Sequence, residues 1–251
     1  MEEILSYLMV LVAGLFAGAI NTMAGGGSFI SLPDLIALGL SPGVANGSNR
    51  IAILFQSGIA SVVYARANKL DVRRGLAWAG VTAVGAVIGA GVASSLSENI
   101  FGRIFGVLFI VMSLILLFKK KLLSGGTHRL SHSKLLALIV FVMIGFYGGF
   151  IQAGVGILML LAFSTLLGWD IVEANGLKNF IAFLYTIPAL LFFAVNDKVD
   201  YQAGLLLACG NIIGGYWGAK WSLKNGQKWL LRVVVVIALF SGIGMLFRPL
   251  A

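Results

Sequence analysis

Long apolar runs follow one another along the chain, separated by short polar or basic stretches. One run would extend from Ile4 to Leu40 if Gly25, Gly26 and Gly27 did not interrupt it. A second break, Gly154-Val155-Gly156, lies at the corresponding place in the other half. Backbone N–H and C=O groups facing lipid cannot stay unpaired, so a glycine break at membrane depth persists only where protein buries it or it lines a cavity. Paired breaks in two halves of a chain are the sequence pointer to a transporter's binding site.

The first half reads as an apolar segment from Ile4 to Ile20, the break, and a short segment from Ser28 to Leu40. At 1.5 Å per residue the short segment cannot cross a hydrocarbon core of roughly 30 Å, so it is a half-helix. Ser41-Pro42 supplies an N-cap and a first-turn proline for a helix to about Arg66. Spans near Gly75 to Leu96 and Gly102 to Phe118 follow. The second half repeats the order, with Asp170 and Glu173 forming a capping-box-like start in place of Ser41-Pro42.

The halves also match residue by residue. At an offset of 131, Gly14 pairs with Gly145, Gly18 with Gly149 and Gly25 with Gly156. After a two-residue gap the offset becomes 129, pairing Ala45-Asn46-Gly47 with Ala174-Asn175-Gly176, and Lys69, Asp71 and Gly75 with Lys198, Asp200 and Gly204. The chain therefore reads as a repeat over residues 1–120, a basic linker over 121–134 and a second repeat over 135–251.

Composition fits this environment. Of 251 residues 59% are hydrophobic and only 11% charged, against roughly 25% charged in soluble domains. The formal net charge of +9 would suit nucleic acid, but the basic residues sit in short loops between apolar runs, which is the positive-inside pattern. Arg66, Lys69, Arg73 and Arg74 occupy one loop. Lys119, Lys120, Lys121, Arg129 and Lys134 occupy the centre, and Lys220, Lys224, Lys228 and Arg232 a third region. These place thirteen of the 18 Lys and Arg on the cytoplasmic side, leaving Arg103, Lys198 and Arg248 opposite. Loop 66–74 and its counterpart 196–202 then face opposite sides. The expected fold is an all-α integral membrane protein of two inverted-topology repeats, each a broken re-entrant hairpin plus three transmembrane helices, with both termini outside the cytoplasm. Glu2 and Glu3 stand where a signal peptide would carry basic residues. The single Cys209 provides no disulfide framework or metal pattern.

Two cations remain, Arg50 and Lys178, in Asn46-Gly47-Ser48-Asn49-Arg50 and Asn175-Gly176-Leu177-Lys178-Asn179. Arg50 lies about 12 Å into its helix. A cation at that depth costs at least roughly 2.5 to 3.5 kcal/mol and needs a counter-charge, a cavity or a ligand. The alternatives are a structural cation paired with backbone carbonyls, or a snorkelling side chain. Asn21, Thr22, Ser28, Asn46, Ser48, Asn49, Gln152, Asn175 and Asn179 surround the two positions with neutral polar groups. Ser28 opens a half-helix directly after Gly25 to Gly27, aiming the positive end of its dipole into the break. Such a site prefers an anion, and with Gly154 these residues form the candidate substrate site. Interhelical hydrogen bonding is the alternative role for each amide.

Elsewhere the expectations are structural. Asp34, after Pro33, reads as a local helix-start residue, and Asp71 and Asp200 as caps of the helices that follow them. His128 and His132 make a poor metal site in a solvated loop. Small residues from Gly80 to Ala93 and from Gly210 to Ala219 point to close helix packing. Trp169, Trp217, Trp221 and Trp229 read as interfacial or packing aromatics. No nucleophile–base or metal constellation suggests an enzyme, and no cofactor is implied.

On Gly14-x-x-x-Gly18, Gly25-Gly26-Gly27, Pro33 and Ala45-Asn46-Gly47-Ser48-Asn49, repeated from Gly145, the chain resembles the TauE/SafE sulfite-exporter family over essentially its whole length. The resemblance implies export of sulfite or a related small organosulfur or organic anion, such as sulfoacetate-like or thiosulfate-like compounds, across the cell membrane. Ile157, Leu158 and Ser164 depart from the pattern in the second repeat. The partners this reading implies are that anion and the lipid bilayer, with homodimerisation left open and no nucleic acid. The competing reading is an anion channel or an accessory membrane subunit without carrier activity.

Overall fold

The computed structural model describes residues 2–124 and 134–225, and every regular element among them is an α-helix. In chain order these are α1 (Glu2–Ala24), α2 (Ser28–Ala37), α3 (Pro42–Arg66), α4 (Val72–Ser95), α5 (Glu98–Ser124), α6 (Lys134–Phe150), α7 (Val155–Leu166), α8 (Ile171–Val195) and α9 (Tyr201–Asn225). Three of the described helices, α1, α4 and α8, are both long and apolar enough to cross a membrane. At 10 and 12 residues, α2 and α7 reach only about 15 and 18 Å. His128, Arg129, His132, Lys228, Trp229, Arg232 and Arg248 lie outside the described residues.

Local chemistry sets the helix starts. Ser41 caps α3 with proline at its first position. Asp71 Oδ1 accepts from Arg74 N at 3.0 Å, and Asp200 Oδ1 from Ala203 N at 2.9 Å, so both aspartates cap as expected. Asp170 accepts from Val172 N and Glu173 N. These bonds satisfy first-turn N–H groups that no helix can pair internally. Asp34 behaves otherwise. It lies in the seventh position of α2 rather than at its start, with one carboxylate oxygen buried and unpartnered.

Small residues set the packing. A Cβ on Gly14 would stand 2.6 Å from the Leu207 carbonyl oxygen, and Gly18 lies directly on Asn211, so α1 and α9 run side by side in one direction. Gly145 and Gly149 meet Thr82 and Ala86 in the same way, aligning α4 with α6. Helices approach this closely only where side chains are absent. Several contacts recur across the two halves. Gly47 packs on the Lys198 carbonyl and Gly176 on that of Lys69, while Gly75 meets Phe180 and Gly204 meets Ile51. Both recurrences keep the offset of 129.

The register of the first helices differs from the sequence expectation. Gly18 on Asn211 corresponds to Gly145 on Thr82, an offset of 127 rather than 131. The discrepancy is one helical turn of four residues. A glycine repeated every fourth residue matches itself equally well after such a slip, so only contacts with the neighbouring helix distinguish the registers.

Candidate functional site

Helices α1 and α6 both end inside the bundle, at Ala24 and Phe150. The chain turns there through left-handed backbone at Gly25 (φ 84°), Gln152 (φ 66°) and Gly154 (φ 76°). Gln152 adopts this conformation although it has a side chain, which costs of order 1 kcal/mol or more and marks a constrained position. The two breaks touch: a Cβ on Gly25 would stand 2.5 Å from Gly156 Cα. The residues paired at the sequence offset of 131 are thus direct neighbours.

A cation from the opposite half closes each helix end. Lys178 on α8 donates to the carbonyls of Asn21 (2.9 Å) and Thr22 (2.8 Å) at the end of α1. Arg50 on α3 donates to the carbonyl of Gly148 (3.2 Å), to that of Gly149 and to Gln152 Oε1 (3.1 Å) at the end of α6. Its guanidinium lies 4.5 Å from the centroid of the Phe193 ring, a cation–π contact. Arg50 is 0% exposed and Lys178 2%. The last carbonyls of a helix carry its partial negative charge, so a cation there is favoured. Backbone pairing, posed by the sequence as one of Arg50's alternatives, is what the structure contains.

Amides complete the two ends. Asn46 donates to the Phe150 carbonyl at 2.8 Å, and Asn175 to that of Met23 at 3.4 Å. Asn175 also donates to the Tyr64 hydroxyl and to Ser222 Oγ. Asn49 bridges Ser28 and Ser31 of α2, while Ser48 joins the Val44 carbonyl to Asp200 N. Gly27 packs on Ala17 and Asn21. Asn46, Ser48, Asn49, Asn175 and Arg50 therefore hold the helices together.

A smaller group faces open space. A cavity of about 10 Å³ lies where the breaks meet, lined by Asn21, Gln152, Gly156, Lys178 and Asn179 together with Ile53, Ser57, Val155, Met159, Ala182 and Tyr185. It has room for about one water. The lining holds a lysine and no carboxylate, and the buried Ser57 Oγ has no hydrogen-bond partner. Gln56, absent from the candidate set, donates to Thr22 Oγ1 (2.6 Å) and Asn179 Oδ1 (3.3 Å) and accepts from Asn21 (2.6 Å). Gln152 in turn donates to Thr186 Oγ1 at 2.9 Å. A signal existed for these residues: the offset of 129 carries Gln56-Ser57 onto Tyr185-Thr186, polar in both repeats within apolar helices.

Trp169 stacks on Phe163, with centroids 5.0 Å apart, whereas Trp217 and Trp221 are exposed at the described surface, as is Cys209. The sequence family described as Sulfite exporter TauE/SafE matches residues 10–245. Similar relatives include the probable membrane transporter protein ORF9 of a Sinorhizobium species, 28% identical over 99% of this chain and 96% of its own. A probable membrane transporter protein of Haemophilus influenzae is 29% identical over 92% and 91% of the two chains, and the Escherichia coli K12 probable membrane transporter protein YfcA 26% over 95% and 89%. No solved structure matches the chain.

Proposed function

The chain belongs to the sulfite exporter TauE/SafE family of membrane transporters, and on that premise we propose that it carries sulfite or a related small organosulfur anion out of the cell. The observation that carries this reading is the cavity at the meeting of the breaks, lined by Lys178, Asn21, Gln152, Asn179, Tyr185 and the unpartnered hydroxyl of Ser57, with no carboxylate. One buried cation and several neutral donors suit a multi-oxygen anion and disfavour a cation. The cavity holds about one water, so loading requires the α1–α2 and α6–α7 hairpins to part. That requirement favours an alternating carrier over an open channel.

Inverted repeats give such a carrier its two access states. The recurring contacts at an offset of 129 and the codirectional pairs α1–α9 and α4–α6 support that topology. So does the concentration of Lys and Arg in loop 66–74 against the single Lys198 of the loop after α8. In this reading both termini lie outside the cytoplasm, and the membrane is the plasma membrane. An inside-negative potential contributes about 2.3 kcal/mol per charge per 100 mV toward expelling an anion. Saturable stabilisation of the purified protein by sulfite, sulfoacetate or thiosulfate tests the proposal. No response to any of them favours the accessory-subunit reading.

A further inference from the structure

The two buried helix ends are finished in the same order. At α1 the cation takes the carbonyls of Asn21 and Thr22, and an asparagine takes that of Met23. At α6 the cation takes those of Gly148 and Gly149, and an asparagine takes that of Phe150. The two asparagines, Asn46 and Asn175, obey the offset of 129, but the cations do not: Arg50 aligns with Asn179, and Lys178 with Asn49. A guanidinium and an ammonium thus reach equivalent carbonyls from positions one residue apart. What the two halves share is a positive charge at each broken helix end rather than a residue at one place.

Carbonyls at the C-terminal ends of broken helices are where secondary transporters coordinate coupling cations, because the dipole and the unpaired oxygens converge there. In this chain those oxygens already hold cations covalently attached to α3 and α8. Arg50 and Lys178 are almost wholly buried, and the cavity beside Lys178, about 10 Å³, is too small for a hydrated ion. We infer that Arg50 and Lys178 stand in for coupling metal cations, so that this transporter works without Na+ or K+. The balancing positive charge stays with the protein, and the translocated charge is that of the anion and any proton moving with it. The consequence for transport rests on the anion-carrier reading, whereas the occupation of the helix ends does not.

The first measurement is the melting temperature of the native protein in sodium, potassium and N-methylglucamine chloride at equal ionic strength, together with anion flux in the same three media. All should be unchanged by the swap. A Na+- or K+-specific stabilisation, or flux that stops without one of these ions, would overturn the inference. In Lys178→Ala the vacated carbonyls should accept methylammonium, raising the melting temperature by roughly 3–6 °C at about ten times its Kd, with no such rise in the native protein. A folded Lys178→Ala variant that responds to neither methylammonium nor Na+ also overturns it. Should that variant not fold, the native swap decides alone. Absence of flux in every medium would count against the carrier reading and leave the stability measurements as the test of this one.

Discussion

Replacing Arg50 by Met preserves much of the side-chain length and removes every donor. In the native fold the guanidinium serves the Gly148 and Gly149 carbonyls and Gln152 Oε1, and rests on Phe193. The substitution strands three buried oxygens, each worth about 1–3 kcal/mol when left unpaired. Against that sum stands the desolvation of the native cation, which the variant no longer bears and which amounts to several kcal/mol. The balance is a loss of about 3 kcal/mol, since breaking a buried charged arrangement costs roughly 3–5 when a charge is left behind and less when only dipoles remain. For a chain of this size that lowers the melting temperature in detergent by about 6–12 °C. Arg50→Lys should fall between, because an ammonium keeps the charge but cannot reproduce the planar fork. Thermal unfolding of the purified variants, followed in parallel with anion binding, reads out both effects. If Arg50→Met melts within about 2 °C of the native protein while anion affinity collapses, Arg50 holds the ligand and not the helix end, and the reasoning is wrong.

Gly25→Ala should destabilise more than Gly39→Ala. Both have positive φ, but a Cβ at Gly25 meets Gly156 at 2.5 Å while one at Gly39 meets nothing within 4 Å. Gly39→Ala isolates the backbone strain of about 1 kcal/mol, and equal melting points would mean the two breaks do not touch. Ser57→Ala should weaken anion binding without lowering stability, because the native hydroxyl is buried and unpartnered. Loss of stability with unchanged affinity would remove Ser57 from the site. In a Cys209→Ser background, a cysteine between Asn196 and Gln202 should react with an impermeant thiol reagent from outside intact cells, and one between Lys119 and Lys134 should not. Equal labelling would contradict the inverted topology.

The glycine breaks and most helix starts were legible because each rests on local chemistry: Gly25 through its backbone freedom, Ser41, Asp71, Asp170 and Asp200 through short-range capping. Position along the chain also identified Arg50 and Lys178, since a cation deep in an apolar helix always needs an explanation. What it satisfies was not legible. The carbonyls of Gly148 and Asn21 are generic backbone atoms, about a hundred residues or more away from the cations that take them. The one-turn slip between Gly14–Gly145 and the structural match Gly18–Gly145 arose because small residues recur with the helix's own near-period. Asp34 failed for another reason: Pro33 suggested a helix start, yet α2 already begins at Ser28.

Counterflow in proteoliposomes separates a carrier from a channel. Vesicles loaded with unlabelled sulfite and diluted into a trace of labelled sulfite should transiently accumulate the label above its external concentration, because a carrier returns its site loaded and exchanges one anion for another. Sulfoacetate or thiosulfate inside should substitute if the site reads the shared oxyanion chemistry, and Ser57→Ala should reduce the overshoot. Label that only equilibrates would indicate a channel, and label that never enters, with any of the three anions, would contradict the account of a carrier built around the paired breaks.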